Sequence, residues 1–311
     1  MDTKENIDTK EYKLNIDPKI LELLGPNLYT NIYYIIAELI ANAYDADAHN
    51  VYIIDNGDDI TIEDDGKGMS YINGDIDKYL NVARTSRNTE DDATTNLGRK
   101  KMGRKGVGKL AALSVSENVL VKTINNNEKS GFILSRKVNA DRLLNAIDDS
   151  EIYFKKIKDH GTAIIMKQPQ YKLHATINAI KRNLLKIFPM VSEDFKIHII
   201  KNGKEECISN FDKDITKELS ALITLGDEFK YLADNFETKY TEAISELCEK
   251  RNSIKIPISM CNKYDEKKTY TLQIKGWIGT YISTRGRKVE ITDFPDNFIS
   301  LFANEKLGEF N

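Results

Sequence analysis

Glu38, Asn42 and Asp45 stand four and then three residues apart. On an α-helix those separations bring all three side chains onto one stripe. The same stretch carries Ile32, Ile35, Ile36, Leu39, Ile40 and Ala43, an apolar face that predicts a helix over 28–44. The polar stripe lies beside that face rather than opposite it. Its members are therefore expected to be buried or to line a pocket, because polar groups buried without partners are costly. An amide oxygen suits a hard cation such as Mg2+, and a neighbouring carboxylate can draw a proton from water. Taken alone, the triplet also fits three surface residues of an amphipathic helix.

Three further segments carry chemistry. Asp64, Asp65, Gly66, Lys67, Gly68 and Met69 follow a strand-like run. Two glycines spaced by one residue let backbone approach a flat ligand closely, and a carboxylate at a strand end can accept from an exocyclic amine such as that of adenine. An acidic hairpin turn has the same composition. Gly103, Arg104, Lys105, Gly106, Val107, Gly108 and Lys109 lead into a helix-like run. Glycine-rich backbone at a helix start offers N–H donors to phosphate, and the three basic side chains add charge. Gly103 to Lys109 also spells G-x-x-x-x-G-K, but Leu110 stands where a P-loop needs Ser or Thr. Gly106, Gly108 and Ala111 match a dinucleotide fingerprint, but no apolar strand precedes them. The last segment, His160, Gly161 and Thr162 entering an apolar strand, says nothing by itself.

The order of the four segments is far more specific than any one of them. It resembles the GHKL ATPases, the superfamily of gyrase B, Hsp-type chaperones, histidine kinases and MutL. Their E-x-x-x-N-x-x-D-A box is matched by Glu38, Asn42, Asp45 and Ala46, their D-x-G-x-G box by Asp64, Gly66 and Gly68, their G-x-x-G-x-G lid box by Gly103, Gly106 and Gly108, and a late G-T pair by Gly161 and Thr162. The resemblance covers residues 20–167 and is closest to the MORC-like and MutL-like branch. It implies a mixed-sheet sandwich, the Bergerat ATP-binding fold, that holds ATP with Mg2+. Glu38 would be the general base and Asn42 the Mg2+ ligand. Asp64 would accept from the adenine amine, with Gly66, Gly68 and Met69 around it. Asp45 and Thr162 would support the nucleotide, and residues 84–108 would form a lid over the triphosphate, using Gly103, Arg104, Lys105, Gly106, Val107, Gly108 and Lys109.

These segments need a scaffold. Strands are expected at 51–54, 59–62, 119–123, 129–136, 151–156 and 162–166, with helices at 75–83, 107–115 and 173–188. The fold class is α+β: a two-layer α/β sandwich followed by a smaller α/β transducer-like domain. The expected domains are an N-terminal arm (1–27), the ATP-binding domain (28–189) and an S5-like transducer-type domain (190–311) with a helical insertion over 213–251. Residues 274–279 and 301–306 resemble two strands of MutL-type transducers. On that resemblance Lys306 would reach the γ-phosphate, with Arg285, Arg287 and Lys288 as other candidates. Tyr12 and Leu14 could pack the arm on its own domain or on a twofold mate.

The 311 residues suffice for two cores, and a net charge of −3 exerts no global pull toward nucleic acid or anionic membrane. The three cysteines, Cys207, Cys248 and Cys261, form no CxxC pair and read as buried thiols in a reducing compartment. No apolar run can span a bilayer, and the polar N-terminus is no signal peptide, so a cytoplasmic location is expected. His49, His160, His174 and His198 have no metal-ligand spacing. The resulting expectation is an ATP-driven clamp, dimeric with ATP, acting on DNA or a protein partner. A chaperone acting on clients, or a nucleotide-sensing module with very slow turnover, are the rivals.

Overall fold

Asn31 opens the first helix. Its extended backbone and its side-chain oxygen, which accepts from the Tyr33 amide at 2.8 Å, form the N-cap of α1 (Ile32–Asp45). The computed structural model of the chain describes residues 10–15, 31–81, 94–99, 101–102, 108–137, 141–187, 194–209, 216, 219–234, 236, 248–261, 267–281, 300–303 and 306–310. The chain divides into two compact units, Met1–Ser209 with Glu290–Asn311, and Asn210–Val289.

In the first unit, β1 (Tyr12–Lys13), β2 (Asn50–Asp55), β3 (Asp59–Asp64), β4 (Asn118–Asn125), β5 (Glu128–Ser135), β6 (Leu143–Ala146), β7 (Gly161–Lys167), β8 (Lys196–Lys201) and β9 (Lys204–Ile208) build one nine-stranded sheet in the order β1-β6-β5-β4-β7-β3-β2-β8-β9. All of its named pairs are antiparallel except β2 with β8. The helices of this unit are α1, α2 (Asp75–Leu80), a 3-10 helix (Gly108–Ser114) and α3 (Ile177–Ile187). Phe132, Val121, Ile164, Ile62, Ile53 and Ile199 are successive register partners across six strands, and all are buried. This row is the spine of the core, and Asp64 projects from the same side of β3 as Ile62. α1 packs on β3, on the 3-10 helix and on α3.

The opposite side of the sheet carries Leu120, Ile124 and Ile133, which pack with Ile147, Ile152 and Phe154. Residues 151–156, expected as a strand, instead form a strap over this side. The Lys155 and Lys156 amides donate to the buried Glu63 carboxylate at 2.9–3.1 Å, so those donors are satisfied without a ladder partner.

Other expectations shift for similar reasons. The helix expected over 107–115 is 3-10 from Gly108 to Ser114, with Leu110, Ala111, Ala112 and Leu113 all buried. The division expected at 189/190 falls at Ser209/Asn210, because β8 pairs with β2 and so adds itself and β9 to the first unit's sheet. The described part of the N-terminal arm, residues 10–15, lies on its own domain's sheet: β1 pairs β6, and Tyr12 and Leu14 are 2% and 1% exposed.

The second unit holds β10 (Leu219–Leu225), α4 (Lys230–Asp234), β11 (Cys248–Arg251), β12 (Ile254–Cys261), β13 (Lys267–Ile274) and β14 (Gly276–Tyr281). β10 lies between β11 and β14, while β12 and β13 form a separate hairpin. The region expected to be helical over 213–251 therefore contains a central strand. Leu219, Leu222 and Thr224 of β10 are buried, and pairing on both edges overrides the helical look of the surrounding charges. Cys207 and Cys261 are exposed and Cys248 is partly covered, against the expectation of buried thiols, because β9 and the hairpin are lightly covered elements. β15 (Ser300–Ala303) and β16 (Lys306–Phe310) pair with each other.

Glu63→Ala is expected to leave two strap amides unpaired and to lower the unfolding free energy by about 2 kcal/mol, with a smaller loss for Glu63→Gln. Urea unfolding monitored by circular dichroism measures both. An Ala variant as stable as the parent contradicts this role for Glu63.

Candidate active site

The polar stripe of α1 stands open. Along Asn31–Tyr44 every residue is buried except Tyr34, Glu38 and Asn42, and Asp45 continues the same line. These positions succeed one another at four-, four- and three-residue steps, so the only uncovered line of a helix wrapped in apolar packing is the one that carries Glu38, Asn42 and Asp45. The alternative of three residues on a broad solvated face is thereby removed.

The Asp64–Met69 turn closes against this helix. The Gly66 amide donates to Asp64 Oδ1 at 3.0 Å, and the Lys67 amide donates to the Ala46 carbonyl at 3.1 Å. A Cβ at Gly66 would lie 2.8 Å from Asp64 Oδ1 and 2.9 Å from Ala46. Gly68 has φ +68, and a Cβ there would lie 2.1 Å from the Ile124 carbonyl oxygen. Both the conformation and the space demand glycine. The Met69 amide donates to Thr123 Oγ1 at 2.8 Å, and Thr123 in turn donates to the Gly161 carbonyl at 3.1 Å. Gly161 packs on the other side of Asp64, where a Cβ would meet the Asp64 carbonyl oxygen at 1.9 Å. Thr162, paired with Asp64 in the ladder, has its hydroxyl 3.4 Å from that of Thr123.

Burial is the largest influence on Asp64. It pushes the carboxyl pKa up to about 7, helped by the negative charge of Asp65 and opposed by the Gly66 and Thr162 amides and by His160. The His160 ring lies 2.8 Å from the Gly66 carbonyl oxygen through Nδ1. A carboxyl held near neutrality at a dry strand end suits a neutral heterocycle with an amine donor better than it suits a cation.

The lid box meets the same helix. A Cβ at Gly108 would lie 2.2 Å from Glu38 Oε2, so the backbone at the start of the 3-10 helix rests against the Glu38 carboxylate. The Met102 amide donates to Asp45 Oδ1 at 2.7 Å. Just upstream, Asp47 accepts from the Asn96 and Leu97 amides at 3.1 and 3.4 Å. Arg99 donates to the carbonyls of Ala48 and Asp194 at 2.6 and 2.9 Å and lies 4.7 Å over the Tyr44 ring. Gly103, Arg104, Lys105, Gly106 and Val107 lie outside the described residues, as does the Lys109 side chain. So do residues 84–93 and 100 of the expected lid. Lys306 opens β16 with its backbone paired to Ala303, and its side chain lies outside the described residues, as do Arg285, Arg287 and Lys288.

The described parts of the four segments therefore meet along the second half of α1 and at its end, with Glu38 and Asn42 half-buried and Asp64 buried. The family described as histidine kinase-, DNA gyrase B-, and HSP90-like ATPase matches residues 29–162. Those residues are a GHKL-type ATPase domain. The matched span includes α1, the Asp64–Met69 turn, the lid segment and the first residues of β7, and the mixed sheet with its helices is the α/β sandwich of that family. GHKL ATPase domains bind ATP, usually with Mg2+. The chain is also similar to a protein of Herpetosiphon aurantiacus named "Putative type II restriction enzyme HgiDII", with 30% identity over 275 residues. The similarity covers 86% of this chain and 41% of the relative, so the chain spans about two fifths of that protein's length.

Thr123, Asp47 and Arg99 were not legible as site residues from the sequence. Thr123 sits inside an apolar strand, and its hydroxyl between Val121 and Ile124 is the one signal that marks it. Asp47 and Arg99 gain their roles only through contacts across about fifty residues of chain.

Asp64 yields a linkage prediction with a defined sign. Its pKa is about 7 in the folded protein against 3.8 for the unperturbed group. The folded state therefore holds more protons between those values, and stability falls as pH rises through that window, by up to about 4 kcal/mol. The unfolding free energy of the nucleotide-free protein, minus that of Asp64→Asn, is expected to decrease between pH 4 and pH 7.5. A difference that stays flat would show that Asp64 is not held as a neutral acid. Gly68→Ala is expected to destabilise the domain by on the order of 2 kcal/mol or more, since both φ and the Ile124 carbonyl oppose a Cβ. Thermal melts of the variant check it.

Proposed function

We propose that this chain binds ATP with Mg2+ and hydrolyses it at the α1 site. The observation that carries this reading is the half-buried polar line on α1, whose Glu38 carboxylate lies against the Gly108 backbone while the glycine turn after Asp64 packs on Ala46 at the helix end. Adenine would lie on the Gly66–Gly68 turn with its amine toward Asp64. Thr162 and Thr123 would support that end of the site. The phosphates would extend toward Gly108, where N–H groups at the start of the 3-10 helix would serve as donors.

A divalent ion fits the donor set in one way. Among the described residues no group of three or more His, Cys, Asp or Glu side chains could hold a metal. Asn42 offers a neutral amide oxygen on that line, so the ion would be shared between Asn42, phosphate oxygens and water, as is usual for Mg2+. Bound there, Mg2+ would supply charge neutralisation for the phosphates. Glu38 would orient a water and accept its proton, with the carboxylate held in place by the Gly108 backbone packed against it. Lid residues 84–108 would close over the triphosphate, anchored at their described base by Asp45, Asp47 and Arg99. Closure can drive a change of state only if ATP binds the closed form more tightly.

The output we propose is action on DNA, through a nucleotide-driven homodimer. The support for DNA over a client protein is that the Herpetosiphon relative is named as a restriction enzyme. Among the described residues no helix is long and apolar enough to cross a membrane.

Glu38→Ala is expected to lower kcat by about 10²–10⁴-fold with little change in nucleotide affinity, because a general base acts on water and not on the bound ground state. Asp64→Asn is expected to weaken binding of both ATP and ADP, since the amide offers the adenine amine one acceptor oxygen in place of two and cannot take up charge, a loss on the order of 1 kcal/mol, or about fivefold. Phosphate release and calorimetry read the two effects. Wild-type turnover in Glu38→Ala rejects the base assignment, and unchanged affinity in Asp64→Asn rejects the adenine acceptor.

A further inference from the structure

The β12–β13 hairpin has two unlike faces. The register pairs Ile254 with Ile274, Ile256 with Leu272 and Ile258 with Tyr270. Alternation then puts the large apolar side chains on one face, and Ile254, Ile256, Met260, Tyr270, Leu272 and Ile274 are 47%, 42%, 59%, 49%, 45% and 40% exposed. The other face carries Lys255, Ser259, Lys267, Thr269, Thr271 and Gln273. It is already hydrogen-bonded across itself, through Ser259 to Thr269 at 3.1 Å and Gln273 to Ser253 at 2.9 Å. One face is finished for water and the other is not.

A two-stranded hairpin is marginally stable in water and needs its apolar face covered. Three features of this face select the cover. First, it carries one charge, Lys268, at its end, with the ammonium 5.7 Å from the Tyr270 ring centre. Two copies can therefore meet face to face with their centres uncharged, whereas the opposite face would bring lysines together. Second, taking about 200 Å² of surface per large side chain, the six exposures give about 560 Å² per copy and about 1,100 Å² for a pair, just above the ~1,000 Å² that a specific interface should clear. Third, Pro257 interrupts β12 and removes a backbone donor, which disfavours growth of the sheet along that edge and leaves the face as the surface to cover.

We propose that the apolar face of the β12–β13 hairpin is a self-association surface, on which a second copy of this chain packs hairpin on hairpin about a twofold axis. The contact needs no nucleotide and is separate from the ATP-driven closure proposed above.

Sedimentation velocity of the whole chain without nucleotide tests it. The expected result is a concentration-dependent dimer that Leu272→Lys abolishes and Thr271→Lys, on the opposite face, leaves intact. Far-UV circular dichroism confirms that each variant is folded. If Leu272→Lys does not fold, Ile256→Ser takes its place. Hydrogen exchange adds a readout on the unmutated chain, with residues 254–274 becoming protected as concentration rises. A parent that stays monomeric at about 100 μM, well above the micromolar range reached by interfaces near this size, overturns the proposal. So does equal dissociation by the two lysine variants, or a dimer that forms only with an ATP analogue.

Discussion

The site depends on one close passage of backbone. Between Asp64 and Met69 the chain runs against Ala46 on one side and against Ile124 and Gly161 on another, so near that a Cβ at Gly66, Gly68 or Gly161 would lie within 1.9–2.9 Å of a neighbour. This contact ties the end of α1 to β4 and β7, and it puts Asp64 in a place where burial raises its pKa to about 7. Stability is given up locally, because a desolvated carboxyl costs free energy and glycine loses more chain entropy on folding than other residues. The row of buried cross-strand partners from Phe132 to Ile199 offsets that cost. A desolvated titratable group beside a rigid sheet is the arrangement expected of a binding site.

The same passage explains why the site was legible in sequence. Close approach leaves glycine as the permitted residue, so geometry is written directly into residue type at Gly66, Gly68, Gly108 and Gly161. The helical stripe was legible for a different reason, since Glu38, Asn42 and Asp45 interrupt an otherwise apolar run at helical steps. What the sequence could not supply was the partner of each group. Thr123 became a site residue because its hydroxyl bridges the Met69 amide and the Gly161 carbonyl, and nothing in the local sequence marks a bridge between distant strands. The strap over 151–156 was misread as a strand for the same reason: its donors go to Glu63, nearly a hundred positions away in the chain.

The second half was less legible because local signals there conflict with pairing. β10 lies in charged, helix-like surroundings, yet Leu219 and Leu222 are buried between two neighbouring strands. The boundary moved for a related reason. Pro189 looked like the end of a domain, but β8 returns beside β2 in parallel, a long-range pairing that leaves no trace in composition. Motif chemistry is local and survives in sequence, whereas sheet order is global and does not. The hairpin is an exception. Its strict alternation could be read from either strand, although only its exposure shows that one face lacks a cover.

Asp64, the Gly66–Gly68 turn, Asn42 and Glu38 are proposed to form one nucleotide site. A crystal structure with a non-hydrolysable ATP analogue and Mg2+ would decide it. The expected result is the adenine amine on Asp64, the ion on Asn42 and phosphate oxygens, and the terminal phosphate facing Glu38 beside Gly108. An analogue bound away from the Asp64–Met69 turn, or an ion held by residues other than Asn42, would contradict it.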